Sequence, residues 1–151
     1  IEFKSNRFSV VDYGAITTNA GTPFERRLEL IYDDLNLLMG KFHPEAMSIE
    51  KLFYNTNAKT VIDVAQARGV TVLAAKKNNI PIFEYTPLQV KQSVVGYGRA
   101  EKKQVQEMTR IILKLAKIPK PDDTADALAM AICHAHASGS LMGKLNSMGI
   151  R

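Results

Sequence analysis

Two aspartates three residues apart, Asp123 and Asp126, open a stretch that is otherwise small and apolar: Ala127-Leu128-Ala129-Met130-Ala131-Ile132. On a helix, side chains at i and i+3 share a face, so the pair presents two carboxylates side by side. Hard cations such as Mg²⁺ take oxygen ligands of this kind. Glu50 ends a short β-prone run, Met47-Ser48-Ile49-Glu50, and α/β sheets bind ligands outside the carboxyl ends of their strands. Each acid also has an ordinary structural reading. A glutamate at a strand end is usually solvated. An aspartate pair at a helix start can cap it and complement its dipole. Taken alone, each acid is better read structurally; the apolar segment behind Asp126 weakens that reading, because a carboxylate heading it is partly desolvated and needs positive compensation. No Ser/His/Asp or Cys/His arrangement argues for a nucleophilic side chain. His134 and His136 are two apart on a helix, so they point to different sides and read as packing or surface residues. His43 precedes Pro44 and reads as structural, and Cys133 as buried and inert.

Positioning these residues requires the following elements. Residues 2–17 read as an antiparallel hairpin around the polar break Lys4-Ser5-Asn6-Arg7. Thr22-Pro23-Phe24-Glu25 opens a helix, with Thr22 as N-cap, Pro23 in the first turn and Glu25 closing a capping box. Phe24, Leu28, Ile31, Leu35 and Leu38 then form one apolar face running to about Gly40. A short strand covers 45–50. A helix over Thr56–Lys77 turns Val61, Val64, Ala65, Val72 and Ala75 inward, with Gly69 in its middle. A strand over 80–85 starts at Pro81, and Thr86-Pro87 restarts a helix to about Val95. After the Gly96-Tyr97-Gly98 loop, a helix over 101–116 places Val105, Met108, Ile112 and Leu115 on one face, and Pro119 and Pro121 break it. Asp122 or Asp123 caps a last helix to about Ala137. The Met39, Met108 and Met130 side chains fall on apolar faces and read as core.

A chain of 151 residues suits one domain, because single cores commonly serve about 100–200 residues. The net charge of +5 and pI near 9.4 favour polyanionic partners, nucleic acid above all. With one cysteine no intrachain disulfide can form, which suits a reducing cytoplasm. No apolar run approaches the ~20 residues that span a bilayer, and no secretory signal is visible. The opening Ile1-Glu2-Phe3 reads like the inside of a strand.

Four separated stretches carry a family resemblance. They are Ile49-Glu50-Lys51-Leu52-Phe53 with Asn55 and Asn57; Gln66-Ala67-Arg68-Gly69; Glu84-Tyr85-Thr86-Pro87 continuing through Val90-Lys91-Gln92-Ser93-Val94-Val95-Gly96-Tyr97-Gly98, Ala100-Glu101-Lys102 and Val105-Gln106; and Asp123-Thr124-Ala125-Asp126-Ala127-Leu128-Ala129. In this order they resemble the RuvC family of Holliday junction resolvases over nearly the whole length. The resemblance implies an α/β fold, a ribonuclease H-like mixed sheet flanked by helices. It implies a nuclease domain over 1–138, whose first strand is expected before residue 1; the tail over 139–151, with Gly139, Gly143 and Gly149, is expected from its glycines to lack fixed structure.

The resemblance also implies the site. Glu50, Asp123 and Asp126 match three of four metal-binding acids. The fourth lies in an Asp-Pro-Gly motif that this sequence does not contain. Lys91 and Lys102 match lysines near the scissile phosphate, and an ammonium there neutralises charge that grows in the transition state. Phe53 matches an aromatic near the junction centre, where stacking contributes about 1–3 kcal/mol per base. Arg99 adds a backbone contact, Lys103 reads as solvated, and the Gly96-Tyr97-Gly98 turn lets backbone approach phosphate. The implied activity is Mg²⁺-dependent endonuclease cleavage, with Mn²⁺ as substitute, making paired symmetric nicks in four-way junctions during recombination and repair. A homodimer through the 56–77 helix and branch-migration motor proteins are the implied partners, with no membrane and a cytoplasmic location. Two alternatives remain at this point: a truncated chain that binds junctions without cutting, and another ribonuclease H-like nuclease.

Overall fold

In a computed structural model, which describes residues 1–51 and 61–147, the chain opens on a tight hairpin. Ser5 and Asn6 adopt left-handed backbone conformations, φ 49° and 60°. Two such residues in succession make the turn whose twist matches a two-residue hairpin. They join β1 (Glu2–Lys4) to β2 (Arg7–Ser9) antiparallel, with Phe3 opposite Phe8. The hairpin is shorter than the expected span of 2–17. Beyond Ser9 the backbone is irregular. Val11 and Tyr13, which alternation would bury, are exposed.

The chain divides into two compact units, each with its own apolar cluster. One unit comprises Ile16–Met47 and Lys51–Glu84. In it α1 (Phe24–Phe42) packs on α2 (Val61–Lys77). Met39, Ala74, Ala75 and Ile80 are buried there, with Tyr32, Leu35, Met47 and Ile82 around them. Two expectations for α1 are corrected. Thr22 does not cap α1: Pro23 holds the N-cap position and makes no side-chain cap bond. The buried stripe ends on Met39, and Leu38 is exposed. In α2, Val64 and Ala65 face solvent while Ala74 and Ala75 are buried. Apolar residues lie all round this helix, so spacing does not single out a face. His43 ends α1 in a left-handed conformation, its N–H donating to the Met39 carbonyl, as its structural reading requires. The expected start of the second helix, at Thr56, lies outside the described residues. β3 covers Met47–Glu50 and β4 covers Ile82–Tyr85.

The other unit comprises Ile1–Ala15, Ser48–Glu50 and Tyr85–Arg151. Its helices start and stop on local signals. Thr86 caps α3 (Pro87–Val95): the Gln89 N–H donates to Thr86 Oγ1 at 3.2 Å, and the Thr86 N–H donates to Gln89 Oε1 at 2.8 Å. Gly96, at φ 95°, ends it, a conformation that costs other residues strain. The Glu101 N–H donates to Gln104 Oε1 as α4 (Lys102–Ile112) begins. α4 stops short of the expected residue 116, with Lys114 in a left-handed conformation. α5 (Asp122–Ser147) runs past the expected end at Ala137 and into the span expected to lack structure. Gly139 lies inside α5. A Cβ there would stand 3.1 Å from the Phe3 ring, so its small size lets the hairpin lie close to the helix. Val90, Val94, Val105, Leu113, Leu128, Ala129, Met130, Ile132 and Cys133 form the buried cluster, against which Ile1, Phe8, Val10 and Tyr85 pack.

Candidate active site

The start of α5 sorts its residues by face. Thr124, Ala125, Leu128, Ala129 and Ile132 are buried. Thr124 anchors the first turn through its N–H to the Pro121 carbonyl, 3.0 Å. The opposite face therefore carries the acids. Asp123 is exposed, and Asp122 and Asp126 are half-buried. A helix N-terminus carries partial positive charge, which favours carboxylates there.

Lys102, the first residue of α4, reaches this face. Its Nζ lies 3.0 Å from Asp126 Oδ2 and 3.8 Å from Asp122 Oδ2. The Asp126 carboxylate raises the Lys102 pKa, first by hydrogen bond and then by charge, with smaller contributions from Asp122 and Asp123. Lys120 Nζ stands 2.5 Å from Asp122 Oδ1, and this contact, more than any other, holds the Asp122 carboxyl below its usual range. The positive compensation expected for Asp126 is thus present, supplied by Lys102. The Lys120–Asp122 pair was not singled out in the sequence, where Asp122 reads as a cap. Its signal was a cation and an acid two residues apart across Pro121.

Glu50 ends β3, exposed, and Ser48–Glu50 belong to the same compact unit as α5. Lys91 is half-buried in α3, and Arg99 is exposed between α3 and α4. Phe53 lies outside the described residues. Gly96 serves as a helix end, while a Cβ on Gly98 would collide with Leu88 Cδ1. The two histidines tie elements together. The Tyr85 hydroxyl and His134 Nδ1 are 2.8 Å apart, and the Ser93 hydroxyl and His136 Nδ1 are 3.1 Å apart. His136 also meets Phe3 and Phe8 edge-on. Burial lowers the His134 pKa and raises those of Tyr85 and Cys133.

In donor chemistry the acids suit a hard divalent cation. Among the described residues, however, no three His, Cys, Asp or Glu side chains converge closely enough to hold one. The arrangement shown is a carboxylate surface neutralised by ammonium groups. Such a surface can bind a cation by exchange with a lysine and can present that lysine to a phosphate. No described helix is long and apolar enough to cross a membrane.

Comparison with known proteins agrees with this reading. The family model for crossover junction endodeoxyribonuclease RuvC matches residues 1–134. The crossover junction endodeoxyribonuclease RuvC of Ruminiclostridium cellulolyticum is 60% identical over 145 residues, 95% of this chain and 87% of the relative. That of Clostridioides difficile is 54% identical over 149 residues, 99% of this chain and 88% of the relative. Among solved structures, Thermus thermophilus RuvC in complex with Holliday junction substrate aligns with a TM-score of 0.85 at 30% identity. The alignment covers 91% of this chain and 84% of that one. The fold is accordingly the α/β, ribonuclease H-like fold of that nuclease. The chain belongs to the RuvC family of crossover junction endodeoxyribonucleases, metal-dependent enzymes that hydrolyse phosphodiester bonds.

Proposed function

We propose that this protein is a Holliday junction resolvase, a Mg²⁺-dependent endonuclease that nicks four-way DNA junctions symmetrically during recombination and repair. The observation that carries the reading is the gathering of Lys102 with Asp122 and Asp126 at the start of α5, within the segment that matches the family. Glu50, Asp123 and Asp126 hold the metal, with Mn²⁺ able to replace Mg²⁺. The bound metal supplies charge neutralisation at the scissile phosphate and a more acidic water. Lys102 and Lys91 place ammonium groups where charge grows on that phosphate. Lys102 spends its bond to Asp126 only while no phosphate competes for it. Arg99 contacts the DNA backbone, and Phe53 stacks on a base at the junction centre.

A four-way junction has near two-fold symmetry, so a homodimer presents two such sites to two strands of like polarity. Branch-migration motor proteins are the expected partners, in the cytoplasm. The net charge of +5 supports polyanion binding. The test is cleavage of a synthetic four-way junction beside a linear duplex and an RNA–DNA hybrid, with Mg²⁺, with Mn²⁺ and with chelator. Paired symmetric nicks in the junction alone, abolished by chelator, are expected. Cutting of the hybrid, or tight junction binding without a nick, would overturn the reading.

A further inference from the structure

The stretch between Glu107 and Asp122 holds four basic residues, Arg110, Lys114, Lys117 and Lys120, and no acid. Two of the four are spent on the fold. Arg110 donates from Nε and Nη2 to the Glu107 carboxylate, at 3.0 and 2.6 Å, and from Nη1 to the Leu115 carbonyl at 3.2 Å. Lys120 lies on Asp122. Lys114 and Lys117 are exposed, and among the described residues neither pairs with an acid. Their direction is set from below: Leu113 and Pro119 are buried and Leu115 packs on the core cluster, so the lysines between them are turned outward. The turn after α4 closes through the Lys114 N–H to the Ile111 carbonyl, 3.1 Å, and the Leu115 N–H to the Arg110 carbonyl, 2.9 Å. Lys114 takes φ 54° there. Glycine occupies such a helix-end position without strain and lysine does not. A strained residue that persists in an exposed turn points to a use for its side chain.

We propose that Lys114 and Lys117 form a phosphate-binding ridge, outside the cutting site, that holds the backbone of the duplex arm leading away from the scissile phosphate. The inference deepens the function proposed above and rests on it. Three residues of chain span at most about 10 Å, so the Lys117 backbone lies within about that distance of Lys120, whose ammonium is on Asp122. Lys114 lies within the same reach of Lys117. The ridge therefore starts beside the acids and continues outward. Along one DNA strand a phosphate recurs every ~3.4 Å of helix axis, so two flexible lysine stems at this spacing can meet phosphates a few nucleotides apart. A platform of this kind reads charge and no sequence. Its backbone is held before DNA arrives, because Glu107 fixes Arg110 and Arg110 fixes the Leu115 carbonyl. The two ammonium groups cost no broken ion pair when a phosphate takes them, unlike Lys102 and Lys120.

The test measures equilibrium binding of a synthetic four-way junction without divalent cation, between about 50 and 200 mM salt. Each lost phosphate contact should lower the slope of log affinity against log salt by about 0.9, and affinity at 0.1 M salt by about eightfold. The double variant K114G/K117Q should thus lose about 1.8 of slope. The variant K4Q/K41Q, which removes two exposed lysines elsewhere, should lose less than about 0.3. With Mg²⁺ present, the loss in K114G/K117Q should fall on KM and not on kcat, because an arm contact is the same in ground and transition states. K114G alone should melt at the same temperature or higher, since glycine relieves the strain, while binding more weakly. A slope change below about 1 in the double variant would overturn the ridge. So would an equal loss in K4Q/K41Q, which would mark a general charge effect, or a loss in kcat, which would place the lysines in the chemistry. Lower melting of K114G with unchanged binding would assign Lys114 to the helix end, and a loss seen with RNA duplex alone would name a different partner; either overturns the proposal. If the unaltered protein nicks no junction and binds it no tighter than linear duplex, the proposed function fails instead, and the slopes on linear duplex still decide the ridge.

Discussion

Ile132 offers a measurement of what holds α5, and with it the acids, in place. It is fully buried within the cluster formed by Leu128, Ala129, Cys133, Val105 and their neighbours. It lies on the face of α5 away from Asp126. Ile132→Ala removes three carbons, worth about 2.4 kcal/mol of transfer at ~0.8 kcal/mol each. A residual cavity raises the loss to about 3–5 kcal/mol. At roughly 0.3 kcal/mol/K of unfolding entropy for a chain of this length, the melting temperature should fall by about 10–15 °C. Circular dichroism on heating reads this directly. The control is Ile111→Ala, at a residue 52% exposed, which should shift melting by no more than about 2 °C. Below the lowered transition, Ile132→Ala should still nick junctions, since none of the acids is touched. A fall under about 5 °C would refute the packing argument. Lost nicking in the still-folded variant would refute the separation of scaffold from chemistry.

Asp126→Asn should abolish nicking, by at least about a hundredfold, while gel-shift binding of an intact junction persists; retained cleavage would remove Asp126 from the metal site. Lys102→Met should lower the half-saturating Mn²⁺ concentration, because the competing ammonium is gone, yet slow nicking; a higher Mn²⁺ requirement would contradict the exchange. Gly96→Ala should cost about 1 kcal/mol in denaturant unfolding, because φ is 95° there, whereas Gly98→Ala should cost less, because the Leu88 side chain it meets is 54% exposed and can turn aside. Burial depresses the His134 pKa in the folded state, so the unfolded chain takes up its proton first as pH falls. The stability His134 contributes is complete above its unfolded value of about 6.5 and is lost as pH drops through that value and then the folded one. His134→Phe should flatten this part of the melting-temperature profile, and an unchanged slope would count against the burial argument.

Local signals were legible and distant ones were not. Thr86-Pro87 announced α3, because an N-cap hydroxyl and a proline in the first turn act within four residues. Met47–Glu50 read as a strand, and it is one. The Asp123–Asp126 spacing alone put both on one face of α5, Asp123 exposed and Asp126 half-buried. By contrast, the face of α2 was read rightly at Ala75 and wrongly at Val64 and Ala65, since apolar side chains surround that helix and only its packing against α1 selects Ala74 and Ala75. The length of α5 was misread because Gly139 is a breaker in isolation and a close-packing site beside Phe3. Lys102 was identified by resemblance. Its bond to Asp126 joins residues 24 apart in sequence, and no periodicity encodes that. Gln106 stood in a stretch that carries the family resemblance, with no role attached to it. Its burial and missing partner exist only once α4 lies against α5.

The site asks one helix end to do two conflicting things. Asp122, Asp123 and Asp126 crowd negative charge, and an unneutralised cluster would repel itself and the DNA phosphates it must meet. Three features offset this: the positive end of α5, Lys120 on Asp122, and Lys102 across Asp126 and Asp122. Of these, the helix end is fixed and Lys120 belongs to the approach to α5. Lys102 alone sits on a different helix, with its side chain half exposed. It can therefore leave without disturbing the backbone that sets the acids. Under the proposed function, a cation that binds and a phosphate that is met both act through this one movable charge. For that reason the resting protein shows an ammonium between its carboxylates, where a rigid cage of acids would have had to tolerate its own repulsion until metal arrived.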